Sequence, residues 1–434
     1  MTRLNGTSTA VTLVVAGLLG ACAGSGSDSD IDQVRPPPPS DVAATIEPTG
    51  TEPPVPATGQ LGGAATTAAA IEGLLAAGRV DLSPTGNRVI DGPGSLLAGE
   101  PLIIGARVAD TTAVWIAPTG PSDWLVVSSD GSVDIISTVG DEVTVEPLPT
   151  APLDPSLGPP LVSTSAGSTL VEGHDVLRSF FADPLPDTRV TTDGSRLVAI
   201  GGPTDRYPHG VLGDVLEGST VDVVDLDGGS RTPVSIDGPD VFEAISPMLA
   251  DVDGDGAADA VMTVSNGETG SRLVAYDLAD GSIVGESDPI GQSNRWRNLL
   301  AIAPTGPDGE TEIIDIRTPH IGGTLQFFQL VDGRLEQVAS ADTYSTHSIG
   351  SRNLDLGIVT DADGDGRLDV LLPTQDMSEL AVVTRDATAD TGTREVARVA
   401  LGGRLTSNVA AAVTDGGVAY AVGVSDGSVR LWLP

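Results

Sequence analysis

The chain has 434 residues, enough for a large core, and carries 60 acidic residues against 22 basic ones, for a formal net charge of −38. That charge disfavours nucleic acid and anionic membrane surfaces as partners of the folded part, and it favours divalent cations. Every basic residue is arginine, a bias that either a GC-rich genome or a halophile-like surface would produce. Glycine is plentiful (54), aromatics are scarce (3%), and short Val/Ile/Thr runs alternate with Gly/Asp clusters, so many short strands joined by tight turns are predicted.

The N-terminus has Arg3, then an apolar run from Val11 to Leu19 that is too short to span a bilayer. Leu19-Gly20-Ala21-Cys22 follows and resembles a bacterial lipobox, with small residues for a peptidase cleft and a thiol for the lipid. The resemblance implies a signal peptide over 1–21 and a membrane anchor on Cys22. The alternative is a plain secretory signal with a chance cysteine. Multiple acylation makes a stable anchor. Ala23, where Asp would suggest inner-membrane retention, favours the outer membrane or cell surface. Cys22 is the single cysteine, so no internal disulfide can form. Residues 22–75 are rich in Pro, Gly, Ser and Thr without apolar periodicity, which predicts a disordered, partly polyproline tether. Residues 68–77 are expected to make a short helical turn.

Residues 76–434 form the predicted folded domain, and they repeat. Gly/Asp turns near Ser122, Asp193, Asp253, Asp308, Asp363 and Asp415 recur mostly about every 55 residues. Each unit holds about four apolar strands, and the first is rich in small residues, as in Val409–Val413. Small side chains suit strands crowded around an axis. The expected fold is therefore all-β: a β-propeller of about six four-stranded blades. A seventh would need a blade hidden in 83–110 or 160–187. Because the last unit stops after its third strand, residues 78–92 are expected to supply the fourth.

Two turns are unusually acidic: DVDGDGAAD at 251–259 and DADGDGRLD at 361–369. In D-x-D-G-D-G-x-x-D, positions 1, 3, 5 and 9 offer side-chain oxygens and position 7 its carbonyl. This predicts one set of ligands in Asp251, Asp253, Asp255, Asp259 and the Ala257 carbonyl. The second set is Asp361, Asp363, Asp365, Asp369 and the Arg367 carbonyl. A hard oxygen set selects Ca²⁺ over a transition metal, giving two calcium sites. An EF-hand would need Glu at position 12, where Met262 and Leu372 stand inside a predicted strand. From about 185 to 434 these hairpins resemble the FG-GAP/VCBS repeat family, which includes the integrin α-subunit head. The resemblance implies propeller blades whose first hairpin binds calcium. Only two copies keep the full motif, and the FG-GAP dipeptides are missing.

Loops predicted on the face opposite the acidic turns concentrate Arg, His and aromatic residues: Arg206, Tyr207, His209, Arg295, Trp296, Arg297, Arg317, His320, Tyr344, His347, Arg352 and Arg404. Such residues are enriched in binding sites. The same residues could instead neutralise nearby Asp and cap loops. The expected ligand is a partner protein, an anionic glycan or a carboxylated ligand, and the expected function is adhesion or envelope assembly. Two rivals are a purely structural scaffold and a polysaccharide lyase using His209 as base with Arg206 as charge neutraliser. No HExxH or CxxC occurs in the folded part. A metal site on His209, His320 and His347 is a further, weaker reading.

Overall fold

The computed structural model describes residues 85–90, 92, 101–105, 110–139, 142–148, 181–225 and 228–434. The predicted signal peptide, Cys22, the tether and the helical turn at 68–77 lie outside them. The described residues are all strand, turn and loop.

The strands, in chain order, are β1 (Val89–Ile90), β2 (Leu102–Gly105), β3 (Ala113–Pro118), β4 (Asp123–Ser128), β5 (Val133–Val139), β6 (Glu142–Pro147), β7 (Thr191–Thr192), β8 (Arg196–Gly201), β9 (Thr220–Asp225) and β10 (Ser230–Ser235). Next come β11 (Val241–Phe242), β12 (Met248–Ala250), β13 (Asp259–Asn266), β14 (Gly270–Asp277), β15 (Ile283–Glu286), β16 (Arg297–Ala303), β17 (Glu312–Arg317), β18 (Thr324–Val331) and β19 (Arg334–Asp342). The last are β20 (Ile358–Thr360), β21 (Asp369–Pro373), β22 (Glu379–Arg385), β23 (Thr393–Ala400), β24 (Ala410–Thr414), β25 (Gly417–Gly423) and β26 (Ser428–Trp432).

Antiparallel pairing groups them into six blades of a β-propeller. Blade 1 is β3–β6 and blade 2 is β7–β10. Blade 3 is β11–β15, its inner strand interrupted between β11 and β12, both of which pair with β13. Blade 4 is β16–β19, blade 5 is β20–β23, and blade 6 is β24–β26 plus β2. The core lies between blades, as it must where flat sheets stack around an axis. Val198, Val223, Met262 and Val274 join blades 2 and 3, Ile316, Phe327, Val370 and Val383 join blades 4 and 5, and Leu371, Val382, Tyr420 and Val422 join blades 5 and 6.

The expectation for residues 78–92 is corrected. The fourth strand of blade 6 is β2, whose Leu102–Gly105 pair antiparallel with Leu431–Ser428. Residues 85–90 and 92 instead run along the inner edges of four blades. The Thr85 carbonyl accepts from Leu249 N–H (2.8 Å), and the Arg88 carbonyl accepts from Val359 N–H (2.8 Å). β1 continues parallel to β20, and Gly92 packs beside Val413 and Val418. Innermost strands present unpaired backbone groups to the channel, and this segment satisfies part of them. Asn87 does so with its side chain: its Oδ1 accepts from Ile302 N–H (2.9 Å) and its Nδ2 donates to the Ile302 carbonyl (2.6 Å).

Asn408 makes the same double bond to Ile116 of blade 1, at 2.8 Å in each direction, across the closure of the ring. Asn408→Ala strands both buried backbone groups of Ile116. It is expected to cost about 2–4 kcal/mol, read as a lowered urea midpoint with an unchanged m-value.

Candidate functional site: two acidic hairpins and an opposing cavity

Both acidic loops connect the innermost strand of a blade to the second, in blades 3 and 5. Their backbones fold alike. Asp251 accepts from Gly254 N–H (2.7 Å) and Gly256 N–H (3.0 Å), as Asp361 does from Gly364 N–H (2.8 Å) and Gly366 N–H (3.1 Å). Asp259 reaches back to Val252 N–H (3.0 Å), as Asp369 does to Ala362 N–H (3.1 Å). The turn needs left-handed backbone at two places in each loop, and glycine supplies it: Gly254 (φ +80°), Gly256 (+89°), Gly364 (+77°) and Gly366 (+87°).

Among the described residues, two groups of acidic side chains offer oxygens all within 4.8 Å of one another: Asp251, Asp253 and Asp259, and Asp361, Asp363 and Asp369. Asp255 and Asp365 stand outside these groups. Each caps the N–H two residues on, Ala257 at 2.7 Å and Arg367 at 2.9 Å. The donors are all hard oxygens, which fits Ca²⁺. Asp369 Oδ1 is sealed from water without a hydrogen-bond partner. Burial, then neighbouring carboxylates, push Asp259 and Asp369 up to about 6. A divalent cation among these oxygens would offset both costs.

In blade 2 the corresponding turn carries its own counter-charge. Asp193 Oδ2 accepts from Arg196 Nε (2.8 Å) and Nη2 (2.6 Å), and the same Nη2 also donates to the Ala258 carbonyl of the neighbouring acidic loop. The DGSR sequence of that turn is the signal for an internal counter-charge.

The opposite face receives the loops between second and third strands and the crossings between blades. There the expected ligand residues separate into two kinds. Several are structural. Arg297 is buried, donating to Asp315 (2.8 Å) and Gln326 (2.7 Å), and Arg352 bridges Asp187 (2.8 Å) and Asp214 (2.6 Å). Arg206 donates to the carbonyls of Ile236 and Asp240, Tyr344 is buried with its hydroxyl on Glu395 (2.6 Å), and Arg404 spans Asp376 and Ser348. Arg317 borders a separate cleft of about 340 Å³ with Arg334 and Asp288. Tyr207 is buried beside His209, with ring centroids 5.5 Å apart.

The others meet at one cavity of about 200 Å³, lined by His209, Arg295, Trp296 and His320 with Val211, Pro319, Ile321 and Ile349. Trp296 is buried, donates its indole N–H to the Glu243 carbonyl (2.9 Å), and stacks on His320 (6.1 Å between centroids). His347 lies behind, its ring 4.8 Å from Trp296 and 4.9 Å from His320. His209 Nδ1 is 2.5 Å from Oε1 of Glu243, a fully buried carboxylate. The three histidines do not form a metal-ligating group. Sequence reasoning passed over Glu243, although a glutamate inside the apolar stretch VFEAIS is a usable signal.

Glu217 is also buried close by. Burial, then Glu243, Asp187 and Asp214, raise it to about 10. A carboxyl raised on folding contributes most stability below its unfolded pKa and loses it as pH rises toward the folded value. Glu217→Gln is therefore expected to stabilise the protein at pH 7 by up to about 3 kcal/mol, with the gain vanishing near pH 4.5. Melting curves of both proteins at the two pH values check this. A gain of the same size at pH 4.5 would refute the titration as its cause.

No family model matches the sequence, and no curated protein does. Among solved structures the chain is similar to the WD40 β-propeller domain of Doa1, at 12% identity over 77% of this chain and 97% of that one, with a TM-score of 0.29. The propeller is defined by the strand order and register described above.

Proposed function

We propose that the chain is a calcium-stabilised β-propeller of the FG-GAP/VCBS type, carried on the bacterial envelope by an acylated Cys22 and a flexible tether, and that it works as a binding module. What supports this reading is the repetition of one acidic hairpin. Two loops 110 positions apart share the same hydrogen bonds and each gather three carboxylates. Each cation is a structural pin between inner strands, and the ligand is met on the opposite face. A lyase is less well supported. Arg206, the charge neutraliser of that reading, is committed to the Ile236 and Asp240 carbonyls.

The test is calcium calorimetry on residues 22–434 carrying Cys22→Ser. The expected result is two sites, with Asp253→Ala and Asp363→Ala each removing one. Absence of binding at millimolar calcium would overturn the metal reading. The anchor is checked in cells, where Cys22→Ser should move the protein from the membrane to the soluble fraction.

A further inference from the structure

The cavity beside Trp296 has features that a structural role does not explain. In a chain so acidic, the described arginines mostly sit on carboxylates, yet Arg295 makes no carboxylate contact among the described residues. Its guanidinium donates to the carbonyl of its own neighbour Asn294 (2.9 Å), and it borders the cavity. Ile321 and Ile349 also border it and are 64% and 72% exposed, two of the three most exposed isoleucines among the described residues. Apolar side chains left in water around a concavity, with one free cation beside them, mark a binding site better than a folding constraint.

The histidines fix the polar character of the wall. His347 Nε2 is 2.7 Å from the Ser351 carbonyl, which can only accept, so Nε2 carries the proton and donates. His347 Nδ1 is then an acceptor. It lies 2.7 Å from His320 Nε2, which must donate to it. The proton of neutral His320 is thus held on Nε2, and its Nδ1 is left with a lone pair and no partner among the described residues. Burial keeps both rings neutral far into the acid range, with His320 at about 4 and His347 at about 3. His209 is oriented by Glu243 through Nδ1, which leaves Nε2 as its outward atom. The site therefore combines apolar walls, an obligate acceptor and an unneutralised guanidinium.

We propose that this cavity binds a small apolar carboxylic acid bearing a hydroxyl or N–H donor. Its carbon skeleton rests on Ile321, Ile349, Val211 and Pro319, its donor points to His320 Nδ1, and its carboxylate pairs with Arg295. This narrows the ligand of the binding-module reading, on which it rests, from an anionic glycan to an apolar acid. Sugars need open aromatic faces or many polar partners, and Trp296 is buried.

The test uses residues 22–434 with Cys22→Ser, labelled with ¹⁵N-histidine; four histidines give a sparse spectrum. The probes are 4-hydroxyphenylacetate, phenylacetate and 4-hydroxybenzyl alcohol. The hydroxy acid is expected to saturate and shift His320 Nδ1. The analogues lacking the hydroxyl or the carboxylate should each bind at least about tenfold more weakly, which is about 1.4 kcal/mol. Arg295→Ala should lower affinity for the two acids and leave the alcohol unchanged. Ile321→Asp should remove binding of all three. His347→Phe should release the His320 tautomer, seen as a changed Nδ1 shift, and erase the preference for the hydroxylated acid. The inference is overturned if the hydroxy acid fails to saturate at millimolar concentration, or if it saturates with no response to Arg295→Ala and Ile321→Asp. Binding of a protein or glycan partner insensitive to these substitutions would overturn it too. Each titration is repeated with chelator and calcium. Probe binding without any calcium binding would sink the metal reading and leave the pocket standing, and the reverse result would sink the pocket alone.

Discussion

Asp355→Ala is expected to destabilise the protein by about 3–5 kcal/mol, the largest effect of any single side chain outside the hydrophobic core. The Asp355 carboxylate is buried at the entrance to blade 5. It pairs with Arg88 of the channel segment and with Arg189 Nη1 of blade 2, at 3.2 and 3.1 Å. Arg189 Nη2 also donates to the Arg352 carbonyl (2.7 Å), and its guanidinium lies 5.4 Å from the Trp115 ring of blade 1. The Asp355 carbonyl accepts from Val409 N–H (3.0 Å), at the start of blade 6. One carboxylate thus balances two buried guanidiniums and ties together the channel segment and several blades. Its removal leaves both arginines without that counter-charge, in surroundings that cannot hydrate them. Urea unfolding monitored by tryptophan fluorescence reads the loss. Arg88→Ala combined with Asp355→Ala should recover part of it, because one buried charge is then gone. A cost below about 1 kcal/mol for Asp355→Ala would show that water reaches the channel wall.

The blades were legible because their cause is local. A Gly/Asp turn between two apolar runs names a hairpin wherever the chain ends up, and spacing alone counted six of them. The acidic hairpins were legible for the same reason, since each draws its oxygens from nine consecutive residues. The closure of the ring was not. Residues 78–92 and 102–105 are both short and apolar enough to be an outer strand. What assigns 85–92 to the channel is Asn87 meeting Ile302 and Arg88 meeting Asp355, pairings more than 200 residues apart in sequence. β2 gives little signal of its own, because on the rim Leu102 and Ile103 are 42% and 66% exposed and obey no alternation. The opposite face was half legible. Its richness in Arg and His was plain, but a sequence cannot show that Arg297 finds Asp315 inside the blade while Arg295, two residues away, finds no carboxylate. Both are the same residue type, but Arg297 opens β16 and is buried, whereas Arg295 lies just before the strand, after Asn294 with its left-handed backbone (φ +53°).

Calcium at a hundred times its dissociation constant is expected to stabilise the fold by about 2.7 kcal/mol per site, hence about 5 kcal/mol for two, and to raise the melting temperature by on the order of 10 °C. The two sites should differ. Position 7 of the first loop is Ala257, while in the second it is Arg367, whose guanidinium lies 3.1 Å from Asp365. Burial is the largest single influence on the Asp365 carboxylate and raises it. The backbone and side-chain hydrogen bonds and the charge of Arg367 together outweigh burial and hold the carboxylate below its usual range. The pairing also places a positive charge beside the proposed cation site. The repulsion between a guanidinium and a nearby divalent cation in largely solvated space is roughly 1 kcal/mol, about a fivefold weakening. The loop at 251–259 should therefore fill first. Arg367→Ala should tighten the second site toward the first without changing the stoichiometry, and Ala257→Arg should weaken the first by a similar factor. Calorimetric titration of these two variants separates the explanations. If both leave the affinities unchanged, the arginine swings clear of the loop when the cation enters, and its contact with Asp365 belongs to the metal-free state alone.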